Sequence, residues 1–253
     1  MRITFLGTGT SHGVPMIGCD CEVCRSPDPR DTRLRPSIFV ETPGASVLVD
    51  AGPDLRTQAL RHGIRRVDAI VFTHGHADHI LGMDDVRRFN AMMKGPMPCY
   101  ADARTHADIR KTFHYVFDSS TPKGGGLPAL DLRPIDGPVR IGDLDVIPVP
   151  VWHGDRPILG FRFGRFAYLT DCSGIADEAW PLLEGLEVVV IDALREQPHP
   201  THFSLAQAMA AGQRIGARQT LFTHMCHHLG HEATNARLPE GMRLAHDGLT
   251  LDL

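Results

Sequence analysis

No stretch of the 253-residue sequence is apolar for long enough to span a membrane. The opening run Met1-Arg2-Ile3-Thr4-Phe5-Leu6 is too short an apolar segment for a signal peptide, so a cytoplasmic, reducing compartment is expected. A basic surplus is missing too, since the formal net charge is −4 at pH 7. Proteins that track a long phosphate backbone carry such a surplus, so extended nucleic acid is not the expected substrate. A small anion stays open, because bound divalent cations supply local positive charge that a residue count misses. There is no internal repeat and no low-complexity tail. Cysteine is sparse, at 6 residues, and Cys19, Cys21 and Cys24 stand apart from the scattered Cys99, Cys172 and Cys226. In a reducing compartment none of these is expected in a disulfide.

Hydrophobic residues, at 42%, are enough for the core of one large domain, here taken as residues 1–253. Short β-branched runs end in Gly, Asp or His: Ile3–Leu6, Ser46–Val49, Ala69–Phe72, Asp145–Val151, Phe166–Leu169, Val188–Ile191 and Thr220–Phe222. Such runs predict buried strands, and the polar residues after them fall at strand ends, where α/β folds place their sites. Helical patterns cover Asp54–His62, Asp84–Met93, Thr105–Val116, Ile175–Leu183 and Ser204–Ile215, the last opened by a capping box of Ser204 and Gln207. A mobile loop is expected over Ser119–Leu127. Strand content exceeds that of a simple βαβ array, which predicts a layered αββα sandwich in one domain.

Histidine is abundant, at 15 residues, and its clustering is informative. Thr73-His74-Gly75-His76-Ala77-Asp78-His79 follows an apolar strand. Imidazole nitrogen and carboxylate oxygen are the usual ligands of catalytic zinc and also suit manganese or iron. Alternation along a loop assigns His74 and His76 to one metal and Asp78 and His79 to a second. His153, Asp171 and His224 stand at three further strand ends and complete the two spheres, with Asp171 as a bridging ligand. Asp50, in Leu-Val-Asp-Ala-Gly, reads equally as an orienting partner of a ligand imidazole or as a helix-cap or turn residue.

The order Thr-His-x-His-x-Asp-His, then His, Asp and His, resembles that of the metallo-β-lactamase superfamily, and Asp50 also matches its pattern. The resemblance implies the fold and a binuclear site. A second cluster, Cys19-x-Cys21-x-x-Cys24, offers three thiolates, and a tetrahedral structural Zn2+ needs a fourth ligand. His227 is the first choice, with Cys226 and His228 as alternatives. Gly7–Pro15, the CxCxxC run and the C-terminal Thr-His-x-x-His together resemble the PhnP-type phosphodiesterases over essentially the whole chain. That implies hydrolysis of small or cyclic phosphodiesters, of the phosphoribosyl cyclic phosphate or cyclic nucleotide kind, with two Mn2+ or Zn2+ ions.

The expected chemistry is attack on phosphorus by a hydroxide made at a metal pair. The catalytic residues are then His202 and Asp78. His202, before the Ser204 helix, can reach the mouth of the site and donate a proton to the leaving oxygen; the related phosphodiesterases place a His there, with Leu205 matching. Some signals are discounted. His231-Glu232-Ala233-Thr234 spells a motif of tRNA-processing relatives in the wrong place and reads as a loop or helix start. Gly7-Thr8-Gly9 lacks the lysine of a phosphate loop and reads as a tight turn. Arg87 and Arg88 read as a solvated helix face. Competing functions are hydrolysis of a carbon ester, thioester or lactone, and a PqqB-like accessory role in cofactor biosynthesis. The expected partner is a small phosphate ester, and a homodimer is expected because dimers are common among such enzymes.

Overall fold

The structure is a computed structural model that describes residues 1–122, 124 and 126–253. The loop expected over Ser119–Leu127 lies in part outside the described residues, at Lys123 and Gly125. In chain order the first half runs β1 (Arg2–Gly7), β2 (Ser37–Glu41), β3 (Ser46–Val49), α1 (Leu55–Arg61), β4 (Ala69–Val71), α2 (Ala77–Ile80), α3 (Val86–Met93), β5 (Met97–Ala101), α4 (Ala103–Thr112), α5 (His114–Phe117) and β6 (Leu130–Pro134). The second half runs β7 (Val139–Ile141), β8 (Leu144–His153), β9 (Arg156–Phe163), β10 (Phe166–Leu169), β11 (Gly174–Ile175), β12 (Val188–Asp192), α6 (Leu205–Ile215), β13 (Gln219–Thr223), α7 (His231–Asn235), β14 (Met242–Leu244) and β15 (Thr250–Asp252).

The strands form two sheets. One has the order β15-β1-β2-β3-β4-β5-β6; the other has the order β11-β8-β9-β10-β12-β13-β14, with β7 paired to β8. The central strands β3, β4, β10 and β12 are buried on both faces, and alternation decides what each face meets. In β3, Val47 and Val49 enter the core between the sheets, while Leu48 turns outward to pack with Leu55 of α1, Val86 and Phe89 of α3 and Ile109 of α4. In β12, Val188 and Val190 face the same inter-sheet core, and Val189 and Ile191 pack outward with Leu205 and Ala208 of α6. Helices therefore cover both outer faces, and the αββα sandwich read from the sequence is the observed fold.

The helix α6 is capped as expected: the Ser204 side chain accepts from the Gln207 backbone N–H, and the Gln207 side chain accepts from the Ser204 backbone N–H. Other expectations need correction. The helix expected over Ile175–Leu183 is the edge strand β11 followed by a 3-10 segment over Asp177–Leu183. Pro181 lies inside it, and proline removes a backbone donor from a helix interior. The pattern Thr105–Val116 is two helices, since Phe113 interrupts it between α4 and α5. Asp102 starts α4 earlier than expected, accepting from the Thr105 N–H at 2.7 Å. The loop assigned to His74–His79 ends in a helical turn, α2, which carries Asp78 and His79. Among the described residues no helix is long and apolar enough to cross a membrane.

Candidate active site

The polar residues at the ends of adjoining strands meet at one edge of the sandwich. Asp50 follows β3, Thr73 and His74 follow β4, His153 closes β8, Asp171 follows β10, Asp192 closes β12 and His224 follows β13. Parallel pairing of β3 with β4, of β10 with β12 and of β12 with β13 brings these ends to a common level. Asp50, Asp171 and His224 have φ of 63°, 55° and 59°. Each left-handed non-glycine residue costs roughly 1–2 kcal/mol. Three such residues next to one cluster mark a place where the chain turns sharply to deliver a side chain.

The side chains sort into two groups. His74, His76 and His153 offer ligand atoms within 4.8 Å of one another, and so do Asp78, His79, Asp171 and His224. Asp171 joins them. Its Oδ1 lies 3.2 Å from His79 Nε2 and 3.1 Å from His224 Nε2, while its Oδ2 faces His74 Nε2 at 3.8 Å. Asp78 Oδ2 adds contacts of 3.3 Å to His79 Nε2 and 3.7 Å to His224 Nε2.

The donor atoms fit divalent cations. His74 Nε2, His79 Nε2 and His224 Nε2 are buried and have no hydrogen-bond partner among the described residues. Buried polar atoms are almost always satisfied, so three converging orphans point to a ligand. Several rings are held in one tautomer by the opposite nitrogen. His79 Nδ1 donates to Asp50 Oδ2 at 2.7 Å, and His153 Nδ1 donates to the Asp171 carbonyl at 2.7 Å. Nε2 is then the lone-pair atom in both. Asp50 is itself fixed, accepting at 2.9 Å from both the Thr73 N–H and hydroxyl. Its orienting role is thereby the one the geometry supports, over a cap or turn.

Electrostatics point the same way. Burial opposes charge on His79, but Asp171, Asp78 and Asp50 outweigh it and hold its imidazolium well above the usual range. The field that retains a proton there also favours a metal cation. Burial pushes the His74, His76 and His153 imidazoles down, towards the neutral form that a ligand needs.

His202 reaches this site. Its ring centroid lies 4.8 Å from that of His153 and 4.8 Å from that of His224, stacked on the latter at 13°. Its Nδ1 donates to Asp192 Oδ2 at 2.7 Å, which leaves Nε2 for other partners. Asp192 is a site residue that sequence reasoning missed. It is fully buried, and burial raises its carboxyl well above the ordinary range. It ends β12 as Asp171 follows β10, and that shared strand-end placement was the available signal.

A cavity of about 270 Å³ adjoins His202. Thr10, Ser11, His12, Arg195 and His199 are among its lining residues, and no carboxylate is.

The second cluster assembles beside this cavity. Cys19, Cys21 and Cys24 place their sulfurs 3.1, 3.4 and 3.7 Å from His227 Nδ1. A tetrahedral Zn2+ with ordinary bond lengths sets sulfur and nitrogen roughly 3.5 Å apart. His227, rather than Cys226 or His228, is the fourth member. The buried Arg33 braces the two segments, donating to the Cys226 and Leu229 carbonyls and to Asp31. All six cysteines are free.

None of the discounted signals joins the ligand groups, although the Gly7-Thr8-Gly9 turn lies against Met225, next to His224, with the Met225 N–H donating to the Thr8 carbonyl at 3.0 Å. Positions where Cβ atoms of Gly7 and Gly9 would lie are filled by backbone of 33–35, so that turn packs against chain. Arg87 pairs with Asp84 at 3.0 Å, and Arg88 lines a separate groove between α1 and α3. His231 opens α7.

Fold and site together define a metal-dependent hydrolase of the metallo-β-lactamase fold. Residues 45–225 match the Beta-lactamase superfamily domain. The chain is 46% identical to a solved diphosphatase from the PhnP family, with a TM-score of 0.93 over 100% of this chain and 97% of that one. The chain therefore belongs to the beta-lactamase superfamily and to the PhnP family within it. It is also 38% identical to an octanoyltransferase of Porphyromonas gingivalis over 98% of its length, but it spans only 51% of that relative. A Zn2+-bound PqqB from Methylobacterium extorquens shares the fold over 100% of both chains, with a TM-score of 0.80 at 20% identity.

Proposed function

We propose that the protein is a phosphodiesterase that hydrolyses small or cyclic phosphodiesters at a binuclear metal site. The observation that carries this reading is the placement of Asp171, with one carboxylate oxygen towards His79 and His224 and the other towards His74. On this reading His74, His76 and His153 hold one cation, Asp78, His79 and His224 hold a second, and Asp171 bridges them. Two Mn2+ or Zn2+ ions held by these residues would supply a metal-activated hydroxide at neutral pH and positive charge for phosphoryl oxygens. Asp78 takes part in catalysis through the cation it holds. His202, aligned by Asp192, gives the leaving oxygen its proton from Nε2. Cys19, Cys21, Cys24 and His227 hold a structural Zn2+ that ties the N-terminal loop to the segment after His224. Cysteines that form no disulfide fit a reducing, cytoplasmic setting.

The cavity beside His202 supports a small anionic substrate, because Arg195 and several imidazoles line it without a carboxylate. The diphosphatase activity of the PhnP-family neighbour also supports phosphorus over carbon chemistry. The octanoyl transfer named for the Porphyromonas relative belongs to a protein that this chain half covers. Loss of metal ligands would have favoured an accessory role of the PqqB kind, whereas all seven donors are present. Metal-reconstituted protein tested against bis-p-nitrophenyl phosphate, cyclic nucleotides, ribose cyclic phosphate, a thioester and a lactone decides the matter. Turnover of the phosphodiesters is expected; turnover of the carbon esters alone rejects the proposal.

A further inference from the structure

Arg156 begins β9 and lies directly opposite His153 in the β8–β9 pair. Directly opposed residues of antiparallel strands send their side chains to the same face. The Arg156 side chain therefore leaves the sheet beside a member of the first ligand group. It is 15% exposed, and its Nη2 donates to Asp108 Oδ2 of α4 at 2.9 Å. A guanidinium carries five N–H donors, so this bond leaves most of them unused. Nε is buried and has no partner among the described residues.

The ion pair passes over the His74–His76 turn. A Cβ on Gly75 would lie 2.6 Å from both Cβ and Oδ2 of Asp108. Glycine is required at position 75 because Asp108 occupies that space, which holds the carboxylate directly above the turn. A largely buried guanidinium with most of its donors unused, beside His153 and the His74–His76 turn, calls for a further acceptor.

We propose that Arg156 is an anion contact of this site, donating to a phosphoryl oxygen of substrate bound over His76 and His153, and that Asp108 is the positioning residue that aims its guanidinium. The identity of the anion rests on the phosphodiesterase reading; the contact itself does not. The guanidinium fork has a geometry suited to phosphoryl oxygens.

The test is calorimetric binding of inorganic phosphate to the metal-loaded protein, with metal content measured on every sample. Arg156→Gln is expected to weaken phosphate binding about tenfold or more at unchanged metal content. Arg156→Lys keeps the charge without the fork and is expected to fall between wild type and the glutamine variant. Asp108→Asn weakens binding in the same direction, by freeing the guanidinium. Phosphate affinity within about twofold of wild type in Arg156→Gln overturns the proposal, as does a wild type that binds no phosphate. Loss of metal in that variant also overturns it, by assigning Arg156 to support of the metal loop. A wild type that binds phosphate but leaves bis-p-nitrophenyl phosphate intact rejects the phosphodiesterase reading and leaves the Arg156 comparison standing.

Discussion

His79 Nδ1 donates to Asp50 Oδ2 at 2.7 Å, and both side chains are completely buried. This bond settles which nitrogen of His79 faces the cluster. With Nδ1 committed, the Nε2 lone pair points at Asp78 and Asp171. Replacing Asp50 by Ala is expected to lower the affinity of the cation assigned to Asp78, His79 and His224 about 10- to 100-fold, read by metal titration. Unchanged affinity would remove the orienting role.

His202→Ala is expected to lower kcat by about two or more powers of ten with metal content intact. Asp192→Asn is expected to lower kcat by about tenfold or more, since the ring keeps its place but loses the carboxylate that fixes its tautomer. An alanine variant with full turnover takes His202 out of the mechanism.

The Cys19, Cys21, Cys24 and His227 cluster makes a separate claim. Cys21→Ser is expected to remove one equivalent of zinc and lower Tm, while the active-site cations remain bound. Element analysis before and after chelation checks this. A serine variant that keeps its full metal complement contradicts the structural-zinc assignment.

His231 gives a pH signature away from the ligands. Burial, with Arg30 and His246 beside it, lowers its imidazole to about 4. The unfolded chain titrates near 6.5. Between these values the unfolded state binds more protons, so stability rises with pH. The contribution is complete above about 6.5 and is lost as pH falls through about 4. His231→Gln is expected to make that acid loss shallower by about 1–2 kcal/mol in denaturant titrations. Parallel curves for variant and wild type would show that His231 does not drive the loss.

Strand ends were legible in the sequence because buried strands read as apolar runs and their polar termini stand out. Ser46–Val49 and Phe166–Leu169 were placed to the residue. β9 was missed: Pro157 and Gly160 break its pattern, and its pairing comes from the neighbouring strands β8 and β10. The ligand groups were legible from residue type and order. The reason for Gly75 was not, because Asp108 reaches it from more than thirty positions away in sequence. Asp192 was hidden for a similar reason, as its role depends on His202 folding back beside it.

The most direct test of the account is anomalous diffraction from crystals of metal-loaded protein, collected at the manganese and zinc absorption edges. Two peaks about 3.5–4 Å apart are expected, one among His74, His76 and His153 and one among Asp78, His79 and His224, with Asp171 touching both. Absence of density between these side chains, or a single peak that leaves Asp171 bound on one side only, would contradict it.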